Sequence, residues 1–186
     1  MHSYTKAFYL FFLALFFIDC SSTNTSKENL IPPPSIWERA VIRDRVYITG
    51  QPSEAEIRTL PEKGIIYVVN ARTTEEMNNR SEVPFIEDSI VRSAGMVYVH
   101  LPIGGEKYPY SPQILDTLAK VLQADTGKIL LHCKSGGRTA WLYASYELKY
   151  LGKNPQEIMK WLEKYGFWPL PLEKLTGIPL ELRKKE

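Results

Sequence analysis

From Val46 onward, apolar positions alternate between two periods. Short apolar or β-branched runs at Val46–Thr49, Ile65–Val69, Met96–Leu101 and Lys128–His132 predict strands. The run Ile65–Val69 is unbroken, as expected of a central strand buried on both faces. Between these runs the spacing is helical. Ile57 and Leu60 follow Ser53-Glu54-Ala55-Glu56, a capping box with Ser53 as N-cap, and Pro61 stops that helix early. Phe85–Ala94 predicts a short helix. Ser111-Pro112 sets an N-cap before a proline at the first helical position; Ile114, Leu115, Leu118, Val121 and Leu122 then line one face. A helix from Thr139 to about Leu151 stops at Gly152. Asn154-Pro155-Gln156-Glu157 caps another helix, which carries Ile158, Trp161 and Leu162 and ends at Gly166, and Leu172–Thr176 predicts a last short one. Trp161, Phe167 and Trp168 read as packing residues. Strands alternating with helices predict an α/β fold of three layers, with a central, mostly parallel sheet flanked by helices. Ligands in such sheets bind at the carboxyl ends of the strands.

The N-terminus breaks this pattern. Ala7–Ile18 is a run of twelve apolar residues behind Lys6. Spanning a bilayer takes about 20 such residues, so the run fits the core of a secretory signal peptide. Cys20 follows directly and resembles a lipoprotein cleavage site, although Asp19 and Phe17 depart from the usual small residue and leucine. The expected organisation is a signal peptide at 1–19, a disordered tether at 20–36 containing Pro32-Pro33-Pro34, a folded domain at 37–180 and a charged tail at 181–186. Export follows, to the periplasm or as a lipoprotein held at the membrane through a lipid on Cys20; an uncleaved signal anchor is the alternative.

Charge narrows the partners. A formal net charge of +2 over 186 residues, without a basic stripe, predicts no nucleic-acid binding. His2, His100 and His132 are scattered, so no metal and no cofactor are expected. With Cys20 lipidated, Cys133 has no partner in the chain, and a lone thiol in an exported protein points to chemistry.

That thiol lies in His132-Cys133-Lys134-Ser135-Gly136-Gly137-Arg138-Thr139, between the last strand and a helix. A thiolate is a nucleophile, and a helix N-terminus and a guanidinium both favour it. Successive backbone N–H groups of Lys134, Ser135, Gly136 and Gly137 would make an anion nest, with the glycines easing the turn. The planar fork of Arg138 can hold two oxygens of a tetrahedral anion. The Thr139 hydroxyl is expected to hydrogen-bond the sulfur. His132, Asn70 and Arg72 read as bracing residues.

This stretch resembles the His-Cys, five residues, Arg, Ser/Thr loop of cysteine-dependent phosphatases of the tyrosine and dual-specificity superfamily. Thr49-Gly50-Gln51-Pro52-Ser53 is similar to their Ser-Gly-Gln-Pro start, Val69-Asn70-Ala71-Arg72 to a strand end, and Val99-His100-Leu101-Pro102 to the strand leading into their acid loop. Here only four residues separate Cys133 from Arg138. That shortened loop resembles the bacterial phosphatase-like domains found alone or fused to β-lactamase-like hydrolases. The resemblance implies hydrolysis of phosphate monoesters, on a phosphorylated protein or a small phosphate, through a phosphocysteine at Cys133 and without a metal. The superfamily carries an aspartate in the loop about thirty residues before the cysteine. Pro102-Ile103-Gly104-Gly105-Glu106-Lys107-Tyr108-Pro109 has none, and Glu106 is the candidate acid. Rhodanese sulfurtransferases also place four residues between cysteine and arginine, so sulfur transfer stays open. So does a catalytically weak module that only binds a phosphoanion.

Overall fold

The computed structural model describes residues 34–166 and 170–179. The signal peptide, Cys20, nearly all of the tether, Phe167, Trp168 and the charged tail lie outside the described residues. The five-stranded sheet has the order β1 (Val41–Arg43), β2 (Val46–Thr49), β5 (Lys128–His132), β3 (Ile65–Asn70), β4 (Val97–His100). β2, β5, β3 and β4 run parallel, and β1 closes one edge as an antiparallel hairpin with β2. β5 holds the centre, and β3, predicted as a central strand, is an interior strand between β5 and the edge strand β4, with Ile65, Val68 and Val69 buried.

Alternation along the strands divides the core in two. Val46, Ile48, Val69, Ile129 and Leu131 face one side and pack against α5 (Pro112–Ala124), α6 (Gly137–Lys149), α7 (Pro155–Leu162) and α8 (Leu170–Thr176). Val68 and Leu130 face the other side, with Ile57 and Leu60 at α2 (Glu54–Thr59) and Ile90 and Val91 of α4 (Glu87–Ser93). A register shift between Ile65 and Tyr67 puts Ile65 in the second cluster and Tyr67 against the first, although period-two alternation would place them together. Among the described residues no helix is long and apolar enough to cross a membrane.

The predicted helices and strands form within a few residues of their expected ends. The capping box at Ser53 closes, with the Glu56 N–H donating to Ser53 Oγ at 3.2 Å and the Ser53 N–H to Glu56 Oε2 at 2.8 Å. Pro112 starts α5 as expected, although the Ser111 side chain makes no cap bond.

Among the α-helices and strands, three were not anticipated: α1 (Ile36–Arg39), β1 and α3 (Thr74–Asn78). Ile36, assigned above to the tether, is fully buried in the second cluster, so ordered structure begins before Trp37. Burying such a side chain is worth about 1.5–3 kcal/mol. The Ile36 N–H donates to Glu56 Oε1 at 2.8 Å, and Arg39 grips both Glu56 oxygens at 2.8 and 2.9 Å. The carboxylate that caps α2 thus also moors the start of the domain.

Candidate active site

The parallel strands bring their ends into one row. Thr49 pairs with His132, His132 with Asn70, and Asn70 with His100. The four ordered sequence segments that suggested a phosphatase therefore converge at the carboxyl edge of the sheet. Cys133 lies one residue past β5 and is 1% exposed. The Gly136 N–H donates to its sulfur at 3.1 Å. Gly136 holds φ at +94°, and a Cβ there would lie 3.2 Å from the Thr49 carbonyl and from Tyr165 Cε1. Gly50 is constrained by proximity instead: its Cβ would stand 3.0 Å from Lys134 O, and the next N–H, of Gln51, donates to that oxygen at 3.2 Å. The Gly-Gln segment is a buttress for the cysteine loop.

Arg138, at the start of α6, meets Glu76 of α3. Nη1 donates to Glu76 Oε2 and Nη2 to Glu76 Oε1, both at 2.7 Å, and Nη1 also donates to Ile103 O at 2.7 Å. A guanidinium has five N–H donors. The end-on fork is spent on Glu76, which leaves Nε–H and the second Nη2–H along the side-on edge for an anion. Partial burial alone would raise the pKa of Glu76; hydrogen bonds from Arg138 and the Thr73 N–H, with the charges of Arg138 and Arg72, outweigh it and hold it at about 2, against an ordinary 4.5. Burial disfavours the Arg138 charge, but the hydrogen bonds and charge of Glu76, together with the interaction and side-chain hydrogen bond with Cys133, raise its pKa above the usual arginine value.

Behind these groups runs a chain of alternating charge. Lys134 reaches Glu82 at 2.9 Å, Glu82 reaches Arg72 at 2.6 Å, and Arg72 lies 3.8 Å from Glu76. Arg72 is 1% exposed and also donates to Gln51 Oε1 at 3.1 Å. Deeper still, His132 Nε2–H donates to Glu87 Oε1 at 2.7 Å, and Gln51 Nε2–H donates to Glu87 Oε2 at 2.6 Å. Asn70 Nδ2 completes this buried cluster at 3.2 Å from Glu87 Oε1. Burial pushes the Glu87 pKa up, but the electrostatic pull of His132 and the hydrogen bonds from His132, Gln51 and Asn70 bring it below the ordinary carboxylate value.

Cys133, Gly136, Gly137 and Arg138 lie together at the start of α6, with the Gly136 N–H on the sulfur. The first N–H groups of α6 have no carbonyl within the helix to bond. Two expectations change. The Thr139 hydroxyl donates to Gly136 O at 3.0 Å rather than to the sulfur, because the third helical residue reaches back to the N-cap carbonyl. The Lys134 side chain pairs with Glu82, so Lys134 contributes to the loop through its backbone; Ser135 is exposed. The end-on fork of Arg138 is occupied, which leaves the side-on edge for an anion. Asn70 and Arg72 brace the strand ends as read from sequence, with the Arg72 N–H donating to Asn70 Oδ1 at 2.8 Å.

Glu106 is exposed at the tip of a turn closed by Gly104 N–H donating to Tyr108 O at 2.7 Å. It shares a cleft of about 470 Å³ with Arg138, Thr73, Glu75, Lys107 and Tyr108. Sequence reasoning missed Glu76, Glu82 and Glu87, and two phenols near the sulfur, Tyr110 and Tyr165. Glu76 had a legible signal: Thr73-Thr74-Glu75-Glu76 is a capping box, and it closes through Thr73 N–H to Glu76 Oε2 at 2.8 Å.

The three-layer sheet with a cysteine loop at the strand ends defines a protein of the cysteine-phosphatase fold class. Residues 39–147 match the model of the Beta-lactamase hydrolase-like protein, phosphatase-like domain, and the chain belongs to that family. A Beta-lactamase hydrolase-like protein of Xylella fastidiosa is 29% identical over 107 residues, which is 58% of this chain and 24% of that protein. The match thus spans about a quarter of the relative's length. Among solved structures, Tk-PTP in its active form superposes with a TM-score of 0.60 at 21% identity, covering 76% of this chain and 98% of the other. PTPMT1, in complex with PI(5)P, gives 0.58 at 19% identity, covering 73% and 90%. These structural likenesses show the fold.

Proposed function

We propose that this chain hydrolyses phosphate monoesters through a phosphocysteine on Cys133. The observation that carries the reading is Arg138, oriented by Glu76 and hydrogen-bonded to Cys133, at a helix start whose N-cap N–H already points at the sulfur. In the first step the Cys133 thiolate attacks phosphorus; the S–P bond forms and the ester P–O bond breaks. Arg138 and the loop N–H groups hold the equatorial oxygens. The leaving oxygen takes a proton from Glu106, across the cleft that Glu106 shares with Arg138. Water then attacks phosphorus, its proton returns to Glu106, the S–P bond breaks, and inorganic phosphate and the thiolate are regenerated. Tyrosine-type and dual-specificity substrates both belong to this proposal: PTPMT1 is seen with PI(5)P, and TpbA of P. aeruginosa, of the same fold, with pTyr.

The test is phosphate release from para-nitrophenyl phosphate by the wild type and by Cys133→Ser. Turnover that vanishes in the variant supports the reading. The four-residue spacing keeps rhodanese-type sulfur transfer as the second reading. Cyanide-dependent turnover of thiosulfate, with no phosphatase activity, would establish it in place of the first. Phosphate binding without either turnover would leave a phosphoanion-binding module. Export by residues 1–19 and a lipid on Cys20 complete the proposal; incorporation of labelled palmitate that persists in Cys20→Ser would refute the lipid site.

A further inference from the structure

A second cleft, of about 350 Å³, opens between α3, α4 and the edge strand β4. Neither Cys133 nor Arg138 lines it. Its size is that of a small-molecule site. Both carboxylates on its wall are already satisfied: Asp88 pairs with Arg92, and Glu87 accepts from His132, Gln51 and Asn70. Two of its donors are not. Arg80 is exposed; its Nη1 donates to Phe85 O at 2.6 Å and to Val83 O at 3.3 Å, and no carboxylate of the described residues pairs with it. Tyr98 Oη accepts from Asn70 Nδ2 at 2.9 Å, which leaves the phenol proton without an acceptor among the described residues. Burial, and after it the charge of Glu87, hold the Tyr98 pKa above the ordinary phenol value, so the group remains a donor. Met77, Phe85 and Ile86 supply the apolar part of the wall, and Ile86 is 62% exposed.

A guanidinium and a phenol O–H both seek an oxygen acceptor, and the guanidinium favours a charged one. Apolar side chains beside them favour a carbon body. One unpaired guanidinium balances one charge, and the nearby Glu87 and Asp88 repel a second, so the cleft suits a monoanion and not a dianion such as phosphate. We propose that this cleft binds a small carboxylic acid with an apolar body, the carboxylate on Arg80 and the Tyr98 hydroxyl and the body on Met77, Phe85 and Ile86. The site is separate from the cysteine loop, and the inference stands whether or not Cys133 turns over phosphate.

The experiment is calorimetry on the full chain with phenylacetate as the probe. Phenylacetamide keeps the ring and loses the charge; acetate keeps the charge and loses the ring. Wild type should bind phenylacetate saturably and about tenfold more tightly than either, the scale of one charge-assisted hydrogen bond. Arg80→Gln should weaken phenylacetate by about tenfold and Tyr98→Phe by about fivefold. Ile86→Ser should weaken phenylacetate and leave acetate unchanged. Arg80 and Ile86 are exposed, so these two variants test the site even if Tyr98→Phe loosens the Asn70 cluster, which thermal melts report. Heats that do not saturate at millimolar phenylacetate overturn the inference, as do folded variants that bind like wild type or phenylacetamide that binds as tightly as the acid. Simple competition between phenylacetate and inorganic phosphate would put the acid on Arg138 and overturn it as well. If wild type releases no phosphate but phenylacetate binds as expected, the hydrolytic reading falls and this site stands.

Discussion

Glu76 and Arg138 meet fork to fork, with both Nη···Oε distances at 2.7 Å. The oxygen that accepts from Arg138 Nη1 also accepts the Thr73 N–H that caps α3. A local helix-start motif therefore sets the rotamer of a carboxylate, and that carboxylate sets the orientation of the arginine across the site. Glu76→Gln can keep the cap but loses the charge; Glu76→Ala loses both. We expect Glu76→Ala to cut kcat/KM by about 10²-fold, the scale for a misplaced positioning group, and to cost about 1 kcal/mol for the lost cap. Glu76→Gln should lower kcat and also lower Tm, because it loses the charge that Arg138 and Arg72 stabilise, but by less than Glu76→Ala, which loses the cap as well. Steady-state kinetics beside thermal melts check this, and equal effects of both variants on Tm would contradict it.

Acid should release the loop in a defined window. The pKa of Glu76 is depressed, so its contribution is fully present above about 4.5, the unfolded value, and is lost as pH falls toward about 2. Glu56, Glu82 and Glu87 are shifted in the same direction. Stability should hold at neutral pH and decline from pH 4.5 downward, with Glu76→Gln flattening the slope. Denaturant midpoints measured from pH 6 to pH 2.5 test this; a slope unchanged in Glu76→Gln would refute it.

Gly136→Ala should cost more than strain. A non-glycine residue in the left-handed region costs about 1–2 kcal/mol, and here the added Cβ also meets the Thr49 carbonyl and Tyr165 at 3.2 Å. Gly152, at φ +61° with nothing within 4 Å, supplies the control. Both alanine variants should melt at lower temperature. Only Gly136→Ala should lose phosphate binding per folded molecule, as read by calorimetry.

Thr139→Val tests the hydroxyl seen on Gly136 O. Losing one buried hydrogen bond should lower stability by about 0.5–1.5 kcal/mol. Because the hydroxyl does not reach the sulfur, a phosphocysteine should not accumulate. Rapid-quench trapping of labelled enzyme would contradict this if the variant held phosphate where the wild type did not.

Arg72 is buried between Gln51 and Glu82 and holds the underside of the loop. Arg72→Met should destabilise the fold by about 1.5–3 kcal/mol, the scale for lost hydrogen bonds to charged groups, since its guanidinium loses Gln51 Oε1 and Glu82 Oε2. Urea unfolding measures it; a loss under 1 kcal/mol would show that Arg72 is not a brace.

Much of this was legible because local rules act on neighbouring residues. Periodicity and the Ser53 and Asn154 caps located strands and helices, and His132–Thr139 announced a nucleophile with an anion clamp. What stayed hidden had two causes. α1 and α3 are too short for periodicity, although Ser35-Ile36-Trp37-Glu38 and Thr73-Thr74-Glu75-Glu76 both carry the capping-box pattern. The role of Thr139 was misread because spacing places a hydroxyl near a sulfur but does not say which acceptor its rotamer meets.

By itself the sequence determined the alternating α/β layers, the family, and the residues of the cysteine loop, since all of these follow from side-chain type and short-range spacing. Only the tertiary structure decided which carboxylate holds Arg138, that His132 leans on Glu87, and that Tyr165 returns to the loop. Those partners lie 62, 45 and about 30 residues apart in the chain. No local propensity encodes such a meeting. It follows from parallel strands ending in one row and from helices folding back over them.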